Sequence, residues 1–244
     1  MGGTLGSGFL ASLLQVDSTY PSGLRQNLSR WTQSHSKRIF DIACVLCCLP
    51  LALPILIATA IAIRLTSPGP ALFRQRRVGC HHRAFTIYKF RTMPVPEEKA
   101  LRSPLTTTAN QTFTSIGPFL RRWKLDELPQ ILNVLLGDMS LVGPRPKLPR
   151  LHSGNLICRP GITGRATLVF AREEAALSAI PSSQVDLYYR DVVRPLKQQL
   201  DDTYMACATF ASDLDLIFRS LFRRWDDSEV RALLPEPDPE SVSA

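Results

Sequence analysis

Two adjacent carboxylates in a basic segment are the residues of this chain best suited to chemistry. Asp126 and Glu127 follow two arginines, Arg121 and Arg122, and a glycine- and proline-rich segment downstream adds Arg145. Carboxylates, guanidinium groups and a flexible backbone together suit phosphoryl chemistry, because guanidinium binds phosphate through two parallel hydrogen bonds. The pattern therefore predicts phosphoryl transfer on a nucleotide-activated substrate.

The segment that follows Trp123 is predicted to form the helix that presents the two carboxylates. Asp126 fits its N-cap, Pro129 is tolerated in its first turn, and Gly137 closes it. Taken alone, the acidic pair is more typical of helix capping than of catalysis, so its function has to be judged together with the other motifs. The apolar residues at helical spacing are Leu128, Ile131, Leu132 and Leu135.

Two further basic residues lie next to a predicted β-strand. Residues 71–74 and 84–90 are predicted to be short strands, because β-forming residues are frequent in the second of them. Lys89 and Arg91 lie at the end of that strand. Two roles stay open for each: contact with a substrate phosphate, or a structural contact within the fold.

An apolar segment precedes the candidate site. From Ile42 through Ile63 the chain has 22 residues without a charge, and a helix needs roughly 20 to span a bilayer. Pro50 and Pro54 lie within this segment, and each removes a helix hydrogen bond and bends the axis. We therefore predict a membrane helix that is kinked at the prolines. An ordinary transmembrane helix and a buried helix of a soluble protein are the alternatives.

The basic residues on both sides of this segment predict its topology. Lys37 and Arg38 precede it, and four arginines follow it between Arg64 and Arg77. Such clusters favour the cytoplasmic face of a membrane. Both flanks satisfy that rule only if the helix enters the bilayer, bends and returns to the same face, so we predict a re-entrant, monotopic helix.

The composition predicts an anionic partner. The formal net charge is +8, but the last 19 residues, from Asp226, hold six acids and one base. The rest of the chain holds 28 basic and 15 acidic residues, a net charge of +13. Such an excess favours phosphate-bearing substrates, anionic lipid or nucleic acid. The six cysteines indicate neither a disulfide framework nor a zinc site, and they fit a reducing cytoplasm.

The remaining pattern predicts one catalytic domain with loosely ordered ends. The fold class is α+β: a mostly helical, membrane-associated domain with a small β element and amphipathic helices at the interface. The predicted parts are an N-terminal extension (1–33), the re-entrant helix (34–65), the cytoplasmic domain (66–225) and an acidic, proline-containing tail (226–244).

Two helices are predicted near the end of the domain, at about 184–208 and 212–225. The second has an apolar face with arginines elsewhere, which is typical of a helix that lies on an anionic bilayer surface. A helix packed against the core is the alternative. The apolar face consists of Leu214, Ile217, Phe218, Leu221, Phe222 and Trp225.

Five motifs follow each other in a fixed order: Lys37-Arg38-Ile39-Phe40-Asp41, Tyr88-Lys89-Phe90-Arg91-Thr92-Met93, Asp126-Glu127-Leu128-Pro129-Gln130, Gly143-Pro144-Arg145-Pro146 and Arg159-Pro160-Gly161-Ile162-Thr163-Gly164. With the proline-containing apolar helix, this series resembles the bacterial sugar transferases, the small monotopic phosphoglycosyl transferases. The resemblance covers about residues 36–222. Several motifs in order are a more specific signal than any one of them alone.

The resemblance implies transfer of a sugar-1-phosphate from a UDP-sugar to a polyprenyl phosphate, typically undecaprenyl phosphate, with release of UMP. It implies a covalent phosphosugar intermediate on Asp126, and Mg²⁺ bound by Asp126 and the diphosphate. Glu127 then has two open roles, to position the metal or to act as a base toward the lipid phosphate. Arg121, Arg122 and Arg145 are candidates for phosphate binding, with lipid headgroup contact or plain surface charge as the alternative for each.

The resemblance also implies a cellular location and binding partners. The place is the bacterial inner membrane with the active site on the cytoplasmic face, and the partners are UDP-sugar, undecaprenyl phosphate and membrane lipids. The reaction initiates assembly of exopolysaccharide, O-antigen, capsule or another glycan. A homodimer is left as an open alternative.

Two other functions are weighed against this one. A catalytically silent membrane-surface scaffold would bind nucleotide-sugar or a partner glycosyltransferase, but it has no need of the carboxylate pair. A basic nucleic-acid-binding protein is the third, and the apolar segment argues against it.

Two features depart from the pattern of this family. Many members place a serine before the helix-breaking proline, where this chain has Leu53 before Pro54. The sequence after Gly164 also differs from the common continuation, so no particular sugar is predicted.

Overall fold

The computed structural model describes residues 28–94, 113–149, 156–171 and 182–222, together with 177 and 180. The predictions for residues 1–27, for the acidic tail and for the far end of the last helix lie outside the described residues. Within the described part, the fold is mostly helical with two small two-stranded sheets. The predicted α+β class is therefore confirmed.

The described helices and strands are as follows. The α-helices are α1 (Arg30–Gln33), α2 (His35–Thr66), α3 (Gly117–Arg122), α4 (Ile131–Leu136), α5 (Arg165–Val169), α6 (Ser182–Tyr188), α7 (Arg194–Cys207) and α8 (Phe210–Leu221). The strands are β1 (Leu72–Val78), β2 (Ala84–Phe90), β3 (Ser140–Val142) and β4 (Gly161–Thr163). Two 3₁₀ helices span Cys80–His82 and Leu125–Gln130, and a π-helical turn spans Tyr189–Val193.

The predicted β element is an antiparallel hairpin of β1 and β2. β1 is longer than predicted, because its pairing with β2 continues to Val78, opposite Ala84. The connection therefore lies at residues 79–83.

The apolar segment forms one helix, α2, which continues through Pro50 and Pro54. It is the one helix among the described residues that is long and apolar enough to cross a membrane. One stripe of α2 is buried against the rest of the fold, whereas most of its other apolar side chains are exposed. A surface of this kind is typical of a helix embedded in lipid. The side chains that are at least half exposed include Leu46, Leu51, Leu53, Ile57, Ile61 and Leu65.

The N-terminal end of α2 is held by a buried ionic cluster. Lys37 donates to Asp213 over 2.6 Å and lies 3.7 Å from Asp41. The fully buried Asp213 also accepts from Nε1 of Trp31 at 2.8 Å and from the hydroxyl of Tyr204 at 2.9 Å. The cluster thus joins α1, α2, α7 and α8 through one carboxylate.

Residues 28–33 belong to the folded domain, which corrects the predicted extent of the loosely ordered extension. The Ser29 N–H donates to the Met205 carbonyl at 2.9 Å. Trp31 packs edge-on against Phe210, with ring centroids 5.5 Å apart.

The C-terminal end of α2 packs on the β-hairpin. Ile63 is fully buried in a cluster with Phe90. Just past the helix, the carbonyls of Ser67 and Pro68 accept hydrogen bonds from the guanidinium group of Arg91. Both ends of α2 therefore contact the same domain.

A buried asparagine couples the hairpin to α4. The Asn133 side chain accepts from the Tyr88 N–H at 3.1 Å and donates to the Thr86 carbonyl at 2.7 Å, both in β2. Asn133 is fully buried, so it satisfies these backbone groups in place of water. The hairpin is thereby held against α4, which places Lys89 near the carboxylate pair.

Two of the sequence motifs pack against each other through glycines. β3 and β4 pair in parallel, with Ser140 opposite Gly161, and the Gly161 N–H donates to the Pro144 carbonyl at 2.9 Å. A Cβ atom on Gly161 would lie 2.1 Å from the Gly143 nitrogen. A side chain does not fit between these backbones, so the loop that carries Arg145 is fixed by direct backbone contact.

Replacing Gly161 by alanine is expected to lower the free energy of unfolding by about 1–3 kcal/mol, because one backbone segment has to move away. Thermal unfolding of the detergent-extracted protein measures the effect. Gly79→Ala is the matched control, since the nearest atom to its Cβ belongs to the side chain of Phe85, at 3.1 Å, which can shift. Equal melting temperatures for the two variants would contradict the prediction.

The helix predicted at about 184–208 is divided by the π-helical turn between α6 and α7. Pro195 lies in the first turn of α7 and has no N–H to donate to the carbonyl four residues earlier. The wider turn accommodates this missing bond and lies beside the candidate site.

α8 is amphipathic, as predicted, and its apolar residues divide between the core and the surface. Ile217 packs against the core cluster around Val142. Leu214, Phe218 and Leu221 are exposed, at 43–74% of their full surface. Core packing, one of the two alternatives of the sequence analysis, therefore holds for one side of α8, and contact of its exposed side with an anionic bilayer stays a prediction.

Candidate active site

The two carboxylates lie in the 3₁₀ segment directly before α4. Its N-cap is Lys124, whose φ of 57° lies in the left-handed region. We predicted Asp126 to be the N-cap, which is wrong: it lies in the first turn of the 3₁₀ segment. Pro129 explains the difference, because it lacks the N–H that an α-helix would direct at the carbonyl four residues earlier. The 3₁₀ form keeps both carboxylates buried, with 9% of Asp126 and of Glu127 exposed.

Glu127 is paired with two cations. Its Oε1 lies 2.6 Å from Nζ of Lys89 and 3.2 Å from a terminal nitrogen of Arg145. Burial acts to raise the pKa of Glu127, but Lys89 and Arg145 lower it more, so its pKa lies well below its usual range. A carboxylate held charged in this way is a poor general base. Of the two roles left open for Glu127, the geometry argues against the base; positioning of a metal stays a prediction, and the contacts instead show Glu127 holding Lys89 and Arg145.

Asp126 differs from its neighbour because one of its oxygens is unpaired. Oδ1 of Asp126 is buried and accepts no hydrogen bond from the described residues. Burial, and next the charge of Glu127, raise the pKa of Asp126. A more basic carboxylate is a better nucleophile, and no hydrogen bond from the described residues neutralises Oδ1 of Asp126. The pKa of Asp126 is thus raised and that of its neighbour Glu127 is lowered. Two carboxylates whose pKa values are shifted in opposite directions are suited to different roles in a reaction.

Both carboxylates open into a basic cleft of about 620 Å³, within the range of about 300–1,000 Å³ that is typical of small-molecule sites. Nine basic and three acidic residues line it, which matches a ligand with several negative charges. They are Arg77, Lys89, Arg121, Arg122, Lys124, Arg145, Lys147, Arg194 and Lys197, with Asp126, Glu127 and Asp201. Six of the predicted site residues are therefore brought together here.

A second cavity has the same volume, about 620 Å³, but contains none of the predicted site residues. It is lined by Cys80, Arg83 and Asp138, among others. We place the candidate site in the basic cleft, because the acidic pair and its cations are there.

Arg91 does not line the cleft, which corrects the prediction of a phosphate contact. It is 5% exposed, and its guanidinium group contacts the carbonyls of Ser67 and Pro68 at the end of α2. β2 ends at Phe90, so the alternation that directs Lys89 into the cleft does not extend to Arg91. The structural role, one of the two left open, is the one the contacts support.

Arg77 is a candidate site residue that the sequence reasoning did not single out. It lines the cleft, and burial, followed by the charge of Arg145, lowers its pKa to about 10. Its guanidinium group donates to the Pro146 carbonyl at 3.1 Å. The predicted strand ended at residue 74, whereas β1 continues to Val78. With the correct end, the sequence analysis would have placed Arg77 on the strand beside Lys89.

The residues present fit a divalent cation only in combination with a substrate. The described residues contain no group of three His, Cys, Asp or Glu side chains placed to hold a metal ion. Mg²⁺ is commonly bound through one or two carboxylates plus substrate phosphates. The unpaired Oδ1 of Asp126 is a suitable carboxylate oxygen, and Glu127 is occupied by its two cations. The donor set therefore fits Mg²⁺ held by Asp126 and a diphosphate.

Known proteins resemble this chain over most of its length. An N-acetylgalactosaminephosphotransferase from Aeromonas hydrophila, named for UDP-N-acetylgalactosamine and undecaprenyl phosphate, is 35% identical over 191 residues, 74% of this chain and 45% of that protein. An undecaprenyl-phosphate glucose phosphotransferase from Komagataeibacter xylinus is 37% identical over 213 residues, 82% of this chain and 37% of that protein. This chain thus spans less than half the length of these two relatives.

A relative of similar size is the exopolysaccharide production protein PSS of Rhizobium leguminosarum bv. phaseoli. It is 38% identical over 168 residues, 63% of this chain and 84% of that protein. The family profile described as bacterial sugar transferase matches residues 32–226, which include both ends of α2, the carboxylate pair and the whole lining of the cleft. The chain belongs to the bacterial sugar transferase family.

Proposed function

We propose that this protein transfers a sugar-1-phosphate from a UDP-sugar to undecaprenyl phosphate, releases UMP, and thereby initiates assembly of an exopolysaccharide or related glycan. The observation that carries the proposal is the unpaired Oδ1 of buried Asp126 within a cleft of nine basic residues. The names of the relatives, which include glucose and N-acetylgalactosamine phosphotransferases, support the reaction class and leave the sugar open.

In the first half of the reaction, an oxygen of Asp126 attacks the β-phosphorus of the UDP-sugar. A bond forms between this oxygen and phosphorus, and the bond from that phosphorus to the bridging oxygen breaks. UMP leaves with the bridging oxygen and its electron pair, and the sugar phosphate stays on Asp126. Deprotonated Asp126 is the reactive form, and the charges of Lys89, Lys124 and Arg121 favour it.

In the second half, an oxygen of the lipid phosphate attacks the same phosphorus. The bond between phosphorus and Asp126 breaks, and the carboxylate is restored. A phosphate dianion needs no base for this attack, which agrees with the low pKa of Glu127. Glu127 instead holds Lys89 and Arg145, at 2.6 and 3.2 Å, where the charged phosphates have to bind.

Mg²⁺ is proposed as the cofactor, held by Asp126 and the diphosphate of the donor. When bound, it would neutralise charge on the diphosphate and on the departing UMP. The basic side chains of the cleft, Arg77, Arg121 and Arg122 among them, contact the remaining phosphate oxygens.

We also propose that α2 enters the cytoplasmic leaflet of the inner membrane and returns to the same face. Two contacts support this topology. Lys37 near its start is bonded to Asp213, and Ile63 near its end is buried against Phe90, so both ends lie on one domain. A helix that crossed the bilayer would separate its ends by about 30 Å of hydrocarbon. The prolines at 50 and 54 are where the axis can bend.

If α2 is re-entrant, both of its ends lie on the cytoplasmic face. A reagent that cannot cross the membrane should then reach neither end in intact cells. Single cysteines at Gln33 and Thr66, in a background with all six native cysteines replaced by alanine, are expected to react with a membrane-impermeant maleimide only after lysis. Both native side chains are exposed, so labelling is not limited by burial. Labelling of one position in intact cells would contradict a re-entrant helix and indicate a transmembrane one.

The reaction predicts UMP release from one of a panel of UDP-sugars, with purified protein, Mg²⁺ and undecaprenyl phosphate. Because the mechanism has two halves, radiolabelled UMP should also exchange into that UDP-sugar without lipid acceptor. Release that strictly requires the acceptor, with no exchange, would contradict the covalent mechanism. Binding of UDP-sugars without any release or exchange would instead favour the scaffold.

A further inference from the structure

Asn133 is a buried polar residue that has no part in the reaction proposed above. It lies on α4 and is fully buried, although asparagine is mostly found at protein surfaces. Burying an amide costs free energy unless both its oxygen and its nitrogen are hydrogen-bonded. The partners of this side chain therefore indicate what it does.

The Asn133 amide binds the outer edge of β2. Its sheet has only two strands, so the edge of β2 that faces away from β1 has no strand beside it. The amide oxygen accepts from the Tyr88 N–H at 3.1 Å, and the amide nitrogen donates to the Thr86 carbonyl at 2.7 Å. A residue of a parallel strand would bind these two groups in the same way. The side chain thus replaces one residue of a third strand.

The two bonds fix which face of β2 is turned toward the core. Ile87 lies between the two bonded residues, and its buried side chain packs in one cluster with Val134 of α4. Lys89 follows two residues later, so its side chain extends from the same face of the strand. A shift of β2 by one residue would turn Lys89 to the other face.

The segment that carries Asn133 also carries the ionic partner of Lys89. The 3₁₀ segment ends at Gln130, and α4 begins at Ile131, so Glu127 and Asn133 belong to one continuous stretch of helix. Nζ of Lys89 lies 2.6 Å from Oε1 of Glu127. The backbone of β2 and its lysine are therefore both bound by this one stretch.

We propose that Asn133 is a positioning residue of the active site, whose amide sets the register of β2 against α4 and thereby holds Lys89 beside Glu127, where a phosphate of the donor binds. The catalytic consequence rests on the proposed function, whereas the position of Lys89 rests on the contacts alone. A displacement of about 1 Å in an active site can cost roughly 100-fold in rate.

Chemical labelling of lysines tests the position of Lys89 without any turnover. The full-length protein in detergent is treated briefly with acetic anhydride, and the acetylated peptides are quantified by mass spectrometry. Lys89 is paired and its side chain is 19% exposed, so it should react slowly in the wild type. In Asn133→Ala its labelling is expected to rise about tenfold relative to the exposed Lys124, because the strand loses two hydrogen bonds.

Val134→Ala is the matched control for the loss of stability. Val134 is the next residue of α4 and is fully buried, so its truncation leaves a cavity and destabilises the same helix. It does not remove the amide that binds β2, so the labelling of Lys89 should stay at the wild-type level.

Kinetics then separate positioning from general support of the fold. With the UDP-sugar that supports UMP release, kcat of Asn133→Ala should fall about 100-fold. The kcat of Val134→Ala should stay within about threefold of wild type at a temperature where both variants are folded. Thermal unfolding in detergent supplies the stability of each variant for this comparison.

Asn133→Asp tests the same two bonds through pH and serves in place of Asn133→Ala if that variant does not fold. Burial raises the pKa of a carboxyl group, and the protonated form can accept from the Tyr88 N–H and donate to the Thr86 carbonyl. The charged form cannot donate. Relative to wild type, the melting temperature of Asn133→Asp should therefore fall as pH rises from 5 to 8, and labelling of Lys89 relative to Lys124 should increase.

The outcomes that overturn the proposal are distinct from failure of the proposed function. Unchanged labelling of Lys89 in Asn133→Ala, or in Asn133→Asp between pH 5 and pH 8, overturns it whether or not the enzyme turns over. Equal losses of kcat in Asn133→Ala and Val134→Ala overturn the catalytic part. Wild-type protein that is inactive with every donor counts against the proposed reaction, and labelling still decides whether Asn133 holds Lys89.

Discussion

Replacing Asp126 by asparagine is expected to lower turnover at least about 1,000-fold, because the amide cannot displace UMP from phosphorus. Asparagine has the same size, so the cleft and its cations should be preserved. UMP release measures the loss. Protein mass after incubation with donor, but without lipid acceptor, measures its cause: the wild type is expected to carry one sugar phosphate on the peptide that contains Asp126, and the variant none.

Two companion variants make this result specific. Asp138 lines the other cavity, so Asp138→Asn is expected to keep wild-type turnover. Glu127→Gln should lose turnover because Lys89 and Arg145 lose the charge that holds them, while any sugar phosphate still forms on Asp126. Sugar phosphate found on Glu127, or full activity of Asp126→Asn, would assign the nucleophile elsewhere.

Replacing Asp213 by alanine is expected to destabilise the protein by about 3–5 kcal/mol, the usual cost of removing one partner of a buried ion pair. The change leaves Lys37 charged and buried, and it removes the acceptor of Trp31 and Tyr204. Because these residues join α1, α2 and α7 to α8, α2 should also loosen from the domain. Thermal or urea unfolding in detergent, with limited proteolysis near α2, measures both effects.

Asp215→Ala on the same helix is the matched control. Its carboxylate lies 2.8 Å from Arg219, and both side chains are about half exposed. A pair of this kind contributes less than about 1 kcal/mol. Replacing Lys37 and Asp213 together by methionine and leucine should recover part of the loss, since Lys37 is no longer a buried charge without its main partner; Asp41 then loses its cation 3.7 Å away, so the recovery is partial. A loss as small as that of Asp215→Ala would show that the cluster does not hold the membrane helix.

Much of the fold was accessible from the sequence because its signals are local. The uncharged stretch around Pro50 and Pro54, the strand 84–90 and the amphipathic pattern of α8 each depend on residues close together in the chain. Two errors in helix type lie next to prolines, at Pro129 and Pro195. There the missing N–H produced a 3₁₀ segment and a π-helical turn in place of α-helix.

The site was predicted in part for the same reason. Asp126, Glu127 and Arg145 belong to short motifs, and the structure places all three in one cleft. Arg91 was misassigned because its partners are carbonyls at the end of α2, which no pattern near residue 91 can indicate. Arg77 was overlooked because the predicted strand ended before it, whereas β1 continues to Val78 and brings Arg77 into the lining of the cleft.

The sequence by itself determined the family, the apolar helix and the candidate reacting groups, since these depend on residue type and on spacing along the chain. Only the tertiary structure decided how the environments of the two carboxylates differ. Glu127 is held by Lys89, 38 residues away, and by Arg145, 18 residues away, which leaves Asp126 with the unpaired oxygen. The same is true of Asp213, whose burial and partners arise from helices that meet only when the chain has folded. Charge, burial and hydrogen bonding act through space, so the properties of these carboxylates follow from the neighbours that folding supplies.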